Sequence, residues 1–220
     1  MPAVAQLVAD GGWNVPAGVA FIVGENGSGK STLVEAMAAV YPRQGFEHPH
    51  SSKIGPSQSN EDSPLRFHLR ARTHRTASPA GFFLRAEMMH GYLGSIDDAG
   101  PSRTWGGESL QSQSHGESFL AVLRHRFADV GVYFMDEPEA ALSFHSCLGL
   151  VALLGQMRDE GSQVIVATHS PLLISLPGAT LLEVGEWGMR ELQDYDQADI
   201  VQSWRGFRSE PGLYLRHLLE

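Results

Sequence analysis

The chain has 220 residues, 42% of them apolar, enough for one α/β domain with a full core and too few for two independent ones. Its 25 acidic and 16 basic residues leave a formal net charge of −9, which excludes a protein that grips nucleic acid with its whole surface and confines any such role to a local basic patch. The single cysteine, Cys147, cannot close an internal disulfide and falls within a helical pattern, as a small buried hydrophobe in a reducing cytoplasm would.

The first element is a strand over residues 19–23, Val-Ala-Phe-Ile-Val, short and apolar enough to be buried on both faces. It runs directly into residues 24–31, Gly-Glu-Asn-Gly-Ser-Gly-Lys-Ser, the G-x-x-x-x-G-K-S form of a phosphate-binding loop. Glycines let such a loop curl so that successive N–H groups point inward, at the positive end of the helix that follows. Glu25, Asn26, Gly27, Ser28, Gly29, Lys30, Ser31 and Thr32 are therefore expected to cradle a nucleoside triphosphate. Lys30 would reach the β- and γ-phosphates, and the Ser31 hydroxyl would take one position on a Mg²⁺ ion bridging them. The helix from residue 31 to 41 carries Leu33, Val34, Met37, Ala38 and Tyr41 on one face and is stopped by Pro42.

Residues 42–64 are rich in proline and serine and lack apolar periodicity, which predicts a mobile surface loop. Two strand-like runs follow, 65–75 and 81–87, joined by a turn at 76–80 and expected to pair antiparallel. In the first run Arg66, His68, Arg70, Arg72 and His74 alternate with Phe67, Leu69, Ala71 and Thr73, a basic stripe best read as a solvated strand face. A Gly- and Ser-rich connection over 91–114 leads to a helix near 117–127, a strand at 132–135, a helix at 144–158 and a strand at 164–167. The tail offers strands at 180–184 and 188–192 and helices near 198–207 and 213–219. Strands alternating with helices predict a parallel central sheet. His48 and His50 flank a proline without a supporting cysteine or carboxylate cluster, so no zinc site is expected. No apolar run is long enough to span a bilayer and no signal-peptide pattern opens the chain, so the expectation is a soluble cytoplasmic protein.

The strand at 132–135 ends in Asp136-Glu137-Pro138, which puts two carboxylates at the C-terminal edge of the sheet beside the phosphate loop. Asp136 suits a place beside Mg²⁺, and Glu137 can polarise an attacking water, so the pair points to hydrolysis as well as binding. The strand at 164–167 leads to His169, which can donate a ring N–H to a γ-phosphate oxygen and so tell a triphosphate from a diphosphate.

In this order the motifs resemble those of the ABC-type ATPases, and within them the soluble branch related to the SMC, Rad50 and RecF proteins more than transporter subunits. Residues 24–31 resemble the Walker A motif, 132–137 the Walker B motif with its catalytic glutamate at Glu137, and His169 the switch histidine. Gln113-Ser114-His115-Gly116-Glu117 is similar to the ABC signature, with His115 in place of the usual glycine. The resemblance implies that Ser114, Gly116 and Glu117 meet the γ-phosphate held by a second subunit. Residues 139–143 are similar to the D-loop, with Ser143 where many relatives carry aspartate, and Glu87 is nearest to the place of the Q-loop glutamine beside Mg²⁺. Trp13 lies too close to the phosphate loop to stand in for the adenine-stacking aromatic.

The implied fold is a single α/β P-loop NTPase domain of the ABC-ATPase type spanning residues 1–220. It would have a mainly parallel central sheet, an antiparallel β layer from 65–87 and a small helical part, about 88–130, carrying the signature. The implied function is Mg²⁺-dependent ATP hydrolysis by a head-to-tail homodimer that closes on two ATP molecules and drives a conformational switch in a partner protein. Two alternatives stand beside it: the ATP-binding energy subunit of a membrane transporter, against which the missing adenine-stacking aromatic weighs, and a nucleotide-gated regulatory module with negligible hydrolysis. A nucleic-acid partner has no support in the sequence.

Overall fold

Five consecutive apolar residues, Val19–Val23, form β1, and all five are buried. They can be apolar without alternation because the strand lies in mid-sheet with both faces covered. The structure is a computed structural model describing residues 1–41, 46–47, 64–73, 80–85, 119–121, 123–124, 129–140, 142–216 and 218. Among them a seven-stranded sheet has the order β2-β3-β4-β5-β1-β6-β7, with β2 at Phe46–Glu47, β3 at Gly81–Arg85, β4 at Val132–Asp136, β5 at Gln163–Thr168, β6 at Thr180–Gly185 and β7 at Gly188–Leu192. Every pairing is parallel except β6 with β7.

Alternation along β1 divides the core in two. Val19, Phe21 and Val23 belong to the cluster that includes Leu150, Leu154 and Met157 of helix α3, Phe144–Asp159. Ile22 belongs to the opposite cluster with Leu33, Val34 and Ala38 of helix α2, Lys30–Val40. Tyr41, just past α2, has extended backbone, as a residue preceding Pro42 requires. Cys147 is a buried free thiol on α3, as its helical pattern predicts, and burial pushes its pKa up.

One expected pairing is overturned. The described part of the first run, 65–73, forms no strand antiparallel to 81–85: Pro64–Phe67 is a single 3-10 turn and 68–73 have no regular structure. β3 pairs instead with β4, Phe82 opposite Tyr133, and at Gly81 and Phe82 with the two-residue β2, both parallel. The basic alternation from Arg66 to Arg72 therefore lies off the sheet, with the Arg66 guanidinium stacked over the Phe67 ring at 4.7 Å. His74 lies outside the described residues. The antiparallel pair is the tail hairpin expected at 180–184 and 188–192.

A helix the sequence reading did not identify, α1 at Pro2–Ala9, covers the free edge of β7. The Gln6 carboxamide donates to the Met189 carbonyl at 2.9 Å and accepts from its N–H at 2.7 Å, occupying main-chain groups that an edge strand otherwise leaves open. The tail helices are α4, Asp199–Ser209, and α5, Pro211–Leu215. Of the helix expected near 117–127, residues 119–121 and 123–124 are described and helical, and Phe119, Leu120 and Leu123 join the α3-side core. Among the described residues no helix is long and apolar enough to cross a membrane.

Candidate nucleotide-binding site

Strand register gathers the chemistry at one edge. Val23 lies opposite Thr168, Asp136 lies opposite both Ala167 and Arg85, and all of these residues end or nearly end parallel strands. The C-terminal edges of β3, β4, β5 and β1 thus form one rim, where an open parallel sheet binds ligands.

The loop after β1 begins with Gly24 at φ 151°, so close to β6 that a Cβ would sit 2.3 Å from the Val184 carbonyl oxygen. Gly24→Ala is therefore expected to destabilise the protein by about 2 kcal/mol or more and to abolish nucleotide binding. A melting curve lowered by several degrees, together with nucleotide titration, checks this. Gly29, at φ 96°, is the N-cap of α2 and turns the N–H groups of the first helical turn toward the loop. Lys30 is only 3% exposed, and its Nζ donates to the Glu25 carbonyl at 2.9 Å, bridging the loop. Burial pulls its pKa down, while the carboxylates of Glu137, Asp136, Glu139 and Glu25 push it back up. Glu25, Asn26 and Gly27 are exposed on the outer turn of the loop, and Ser28, Ser31 and Thr32 are half-buried.

Asp136 closes β4 and is 5% exposed. Its Oδ2 accepts from Arg85 Nε at 3.3 Å, and the same guanidinium spans to Glu35 Oε2 on α2 at 3.1 Å. Burial raises the Asp136 pKa, opposed chiefly by the Ser31 hydroxyl and then by Arg85. Among the described residues its Oδ1 is buried with no hydrogen-bond partner, and so is Ser28 Oγ. Orphaned buried oxygens are rare and invite an ion or ligand, so the cradle fits a phosphate, and Ser31 with Asp136 has the hard oxygen donors that Mg²⁺ takes.

The next residue, Glu137, has φ 47°, the left-handed region that a non-glycine residue enters at a cost. Its N–H donates to the Ala167 carbonyl at 2.9 Å, so the end of β5 holds the strained turn. The strain swings the side chain to the rim, where Oε1 stands 3.4 Å from His169 Nδ1. Glu139 Oε1 is 3.6 Å from the same nitrogen and accepts hydrogen bonds from Thr168 Oγ1 and from the His169 N–H at 3.2 Å. Burial raises the Glu139 pKa against these bonds.

The structure thus brings together Lys30, Ser31, Asp136, Glu137 and His169. Ser114, Gly116, Glu117 and Glu87 lie outside the described residues. Trp13 packs against the α2-side core. Ser143 is the N-cap of α3, its Oγ accepting from the Ser146 N–H at 3.2 Å, a task an aspartate also performs. Sequence reasoning missed Arg85 and Glu35, and it named Glu139 only as part of the stretch similar to the D-loop. The signal for Arg85 was its place at the end of a strand, and it could be used only with β3 known to lie parallel beside β4.

A parallel sheet whose first strand enters a glycine loop capping a helix, with an acidic pair at the end of a strand two places away, defines a P-loop NTPase. The family model "AAA domain, putative AbiEii toxin, Type IV TA system" matches residues 106–175, a stretch that includes Asp136, Glu137 and His169. The ribose import ATP-binding protein RbsA of Roseobacter denitrificans is 25% identical over 171 residues, covering 70% of this chain and 34% of its own length. The macrolide export ATP-binding/permease protein MacB of Escherichia coli O157:H7 is 28% identical over 176 residues, 68% of this chain and 26% of its own. The chain thus spans about a third or less of these relatives. In fold it is similar to cbiO1 of Clostridium perfringens, part of the ABC transporter complex cbiONQ, with a TM-score of 0.50, 17% identity, and 94% and 88% of the two chains covered. In sequence and in fold the chain is thus similar to ABC-type ATPase domains.

Proposed function

We propose that residues 1–220 work as one domain that binds ATP with Mg²⁺ and hydrolyses it as an ATP-dependent homodimer, in the cytoplasm, to switch the conformation of a partner protein. The observation that carries the reading is Glu137, held at φ 47° with its carboxylate at the rim shared by Lys30, Asp136 and His169. A carboxylate so placed can take the proton of a water attacking the γ-phosphorus. Lys30 and the N–H groups of the loop bind the phosphate chain, and His169 offers its second ring nitrogen to the γ-phosphate. Mg²⁺ would be held by Ser31 and Asp136, and when bound it neutralises charge on the β- and γ-phosphates. Ser114, Gly116 and Glu117 of a second copy complete the site, and Glu87 contributes an oxygen near the metal.

Phosphate release measured with Mg²⁺ and with excess chelator tests the reading. Turnover that needs the metal and whose specific rate climbs with protein concentration is expected. A rate equal to that of a Lys30→Met variant leaves the regulatory-module reading instead. The second reading, an ATP-binding subunit of a transporter, is favoured by the import and export names of the curated relatives. A multi-span partner co-purifying from detergent-solubilised membranes would establish it.

A further inference from the structure

Glu139 is a buried acid that neither metal nor phosphate binding explains. It is 8% exposed, and it lies on the turn after β4 while its carboxylate accepts hydrogen bonds from the end of β5. Oε1 takes two hydrogen bonds from consecutive residues there, the Thr168 hydroxyl and the His169 main-chain N–H, and stands 3.6 Å from His169 Nδ1. The Thr168 hydroxyl in turn accepts from the Ser170 N–H at 3.0 Å, so the hold extends past the histidine on both sides. A second tie, from the Glu137 N–H to the Ala167 carbonyl, joins the same two segments one residue upstream.

The two ties bracket the site. One fixes the main chain at Glu137, and the other fixes the main chain at His169 and places a carboxylate oxygen 3.6 Å from its ring Nδ1. Removing the second leaves Glu137 where it is but frees the histidine, since the described residues offer its main-chain N–H no other acceptor.

We propose that Glu139 is a positioning residue that latches the turn after β4 to the end of β5, holding His169 beside Glu137 in the geometry that turnover requires. The proposal rests on the hydrolytic reading of the site. Glu139 acts through His169 and Thr168. Its effect should fall mainly on the rate of the chemical step, because Lys30 and the phosphate loop are carried by β1 and α2, and Glu139 is only one of four carboxylates that act on the Lys30 amine.

The test compares Glu139→Ala, Glu139→Gln and Thr168→Val by steady-state phosphate release and by nucleotide titration. Glu139→Ala should lower kcat about 10- to 100-fold with KM and nucleotide affinity within about twofold of wild type, the size of loss that follows misplacement of a reacting group. Glu139→Gln keeps a carbonyl oxygen for the Thr168 and His169 donors and should recover most of the lost rate. Thr168→Val should lower kcat in the same direction, and the double variant Glu139→Ala with Thr168→Val should lose less than the product of the two single losses. Wild type that turns ATP over while Glu139→Ala keeps full kcat overturns the latch and leaves the hydrolytic reading standing. Loss of binding and rate together in Glu139→Ala, with no recovery in Glu139→Gln, also overturns it, because that is the mark of a merely structural carboxylate. Absence of turnover in the wild type sinks the hydrolytic reading itself, and the latch falls with it.

Discussion

Glu137→Gln is expected to bind ATP as wild type does and to hydrolyse it about 10²- to 10⁴-fold more slowly, the range spanned by loss of a positioned general base. The amide is nearly isosteric with the carboxylate and cannot accept the proton of an attacking water at neutral pH. The main-chain bond from residue 137 to Ala167 does not depend on the side chain, and neither does the positive φ, so the turn should keep its shape. The Glu139 bonds to Thr168 and His169 are also untouched, so the main chain at His169 keeps its hold. What is lost is one carboxylate from the group around Lys30, and with it part of the electrostatic support for the charged amine. That loss bears on affinity, and the remaining carboxylates of Asp136, Glu139 and Glu25 limit it. If two copies close around ATP and open after hydrolysis, blocking the chemical step should trap the closed form. Gel filtration in ATP and Mg²⁺ should then show the variant as a dimer and wild type as a mixture. A variant that binds ATP stoichiometrically and still elutes as a monomer defeats the two-subunit mechanism while leaving hydrolysis within one subunit open to assay.

The parts of this site that could be read from the sequence are the ones whose signals are local. The phosphate loop is eight adjacent residues with a fixed spacing, the acidic pair follows its strand immediately, and His169 follows its own strand within two residues. The tail hairpin was legible because its two strands are separated by a two-residue turn. What the sequence hid is non-local. Residues 65–75 have the period-2 alternation of a strand, but a strand also needs a partner, and β3 pairs with β4 and β2 instead. Glu183 reads as a solvent-facing break in Leu-Leu-Glu-Val, yet it is 2% exposed, bonded to Arg190 Nε at 3.0 Å and to the Asp199 N–H at 2.8 Å. Arg190 comes from β7 and Asp199 from the start of α4, so only the folded chain supplies the partners that make this burial tolerable. Glu139 was hidden in the same way. Beside a strand-ending acid pair it looks like one more charge on a turn, and its two donors arrive from a strand some thirty residues later.

Lys30→Met should abolish nucleotide binding without unfolding the protein. Lys30 sits in the fold at a net disadvantage: burial lowers its pKa by more than four surrounding carboxylates raise it, so the charged amine is less favourable there than in water. For a base whose folded pKa lies below its ordinary value, the unfolded chain binds the proton more readily between the two. The penalty is thus fully present at neutral pH and is relieved only as pH rises through the folded pKa toward 10.5. Methionine fills similar volume with no charge to bury, so the nucleotide-free variant should melt at or above the wild-type temperature near pH 7. It should also lack the small gain in stability that wild type shows as the solution is made alkaline. ATP reverses the comparison. The phosphate chain supplies the negative charge for which the amine is kept buried, and wild type in ATP at about a hundred times its dissociation constant should gain about 2.7 kcal/mol by mass action. The variant loses the charge-assisted bonds to two phosphates, each on the order of 1.5–3 kcal/mol, so its affinity should fall at least 100-fold and its melting curve should not move. Paired melts with and without ATP and Mg²⁺ read both effects. A variant that melts well below wild type without nucleotide makes Lys30 a structural cation of the carboxylate cluster, and one still stabilised by ATP denies it the phosphate contact.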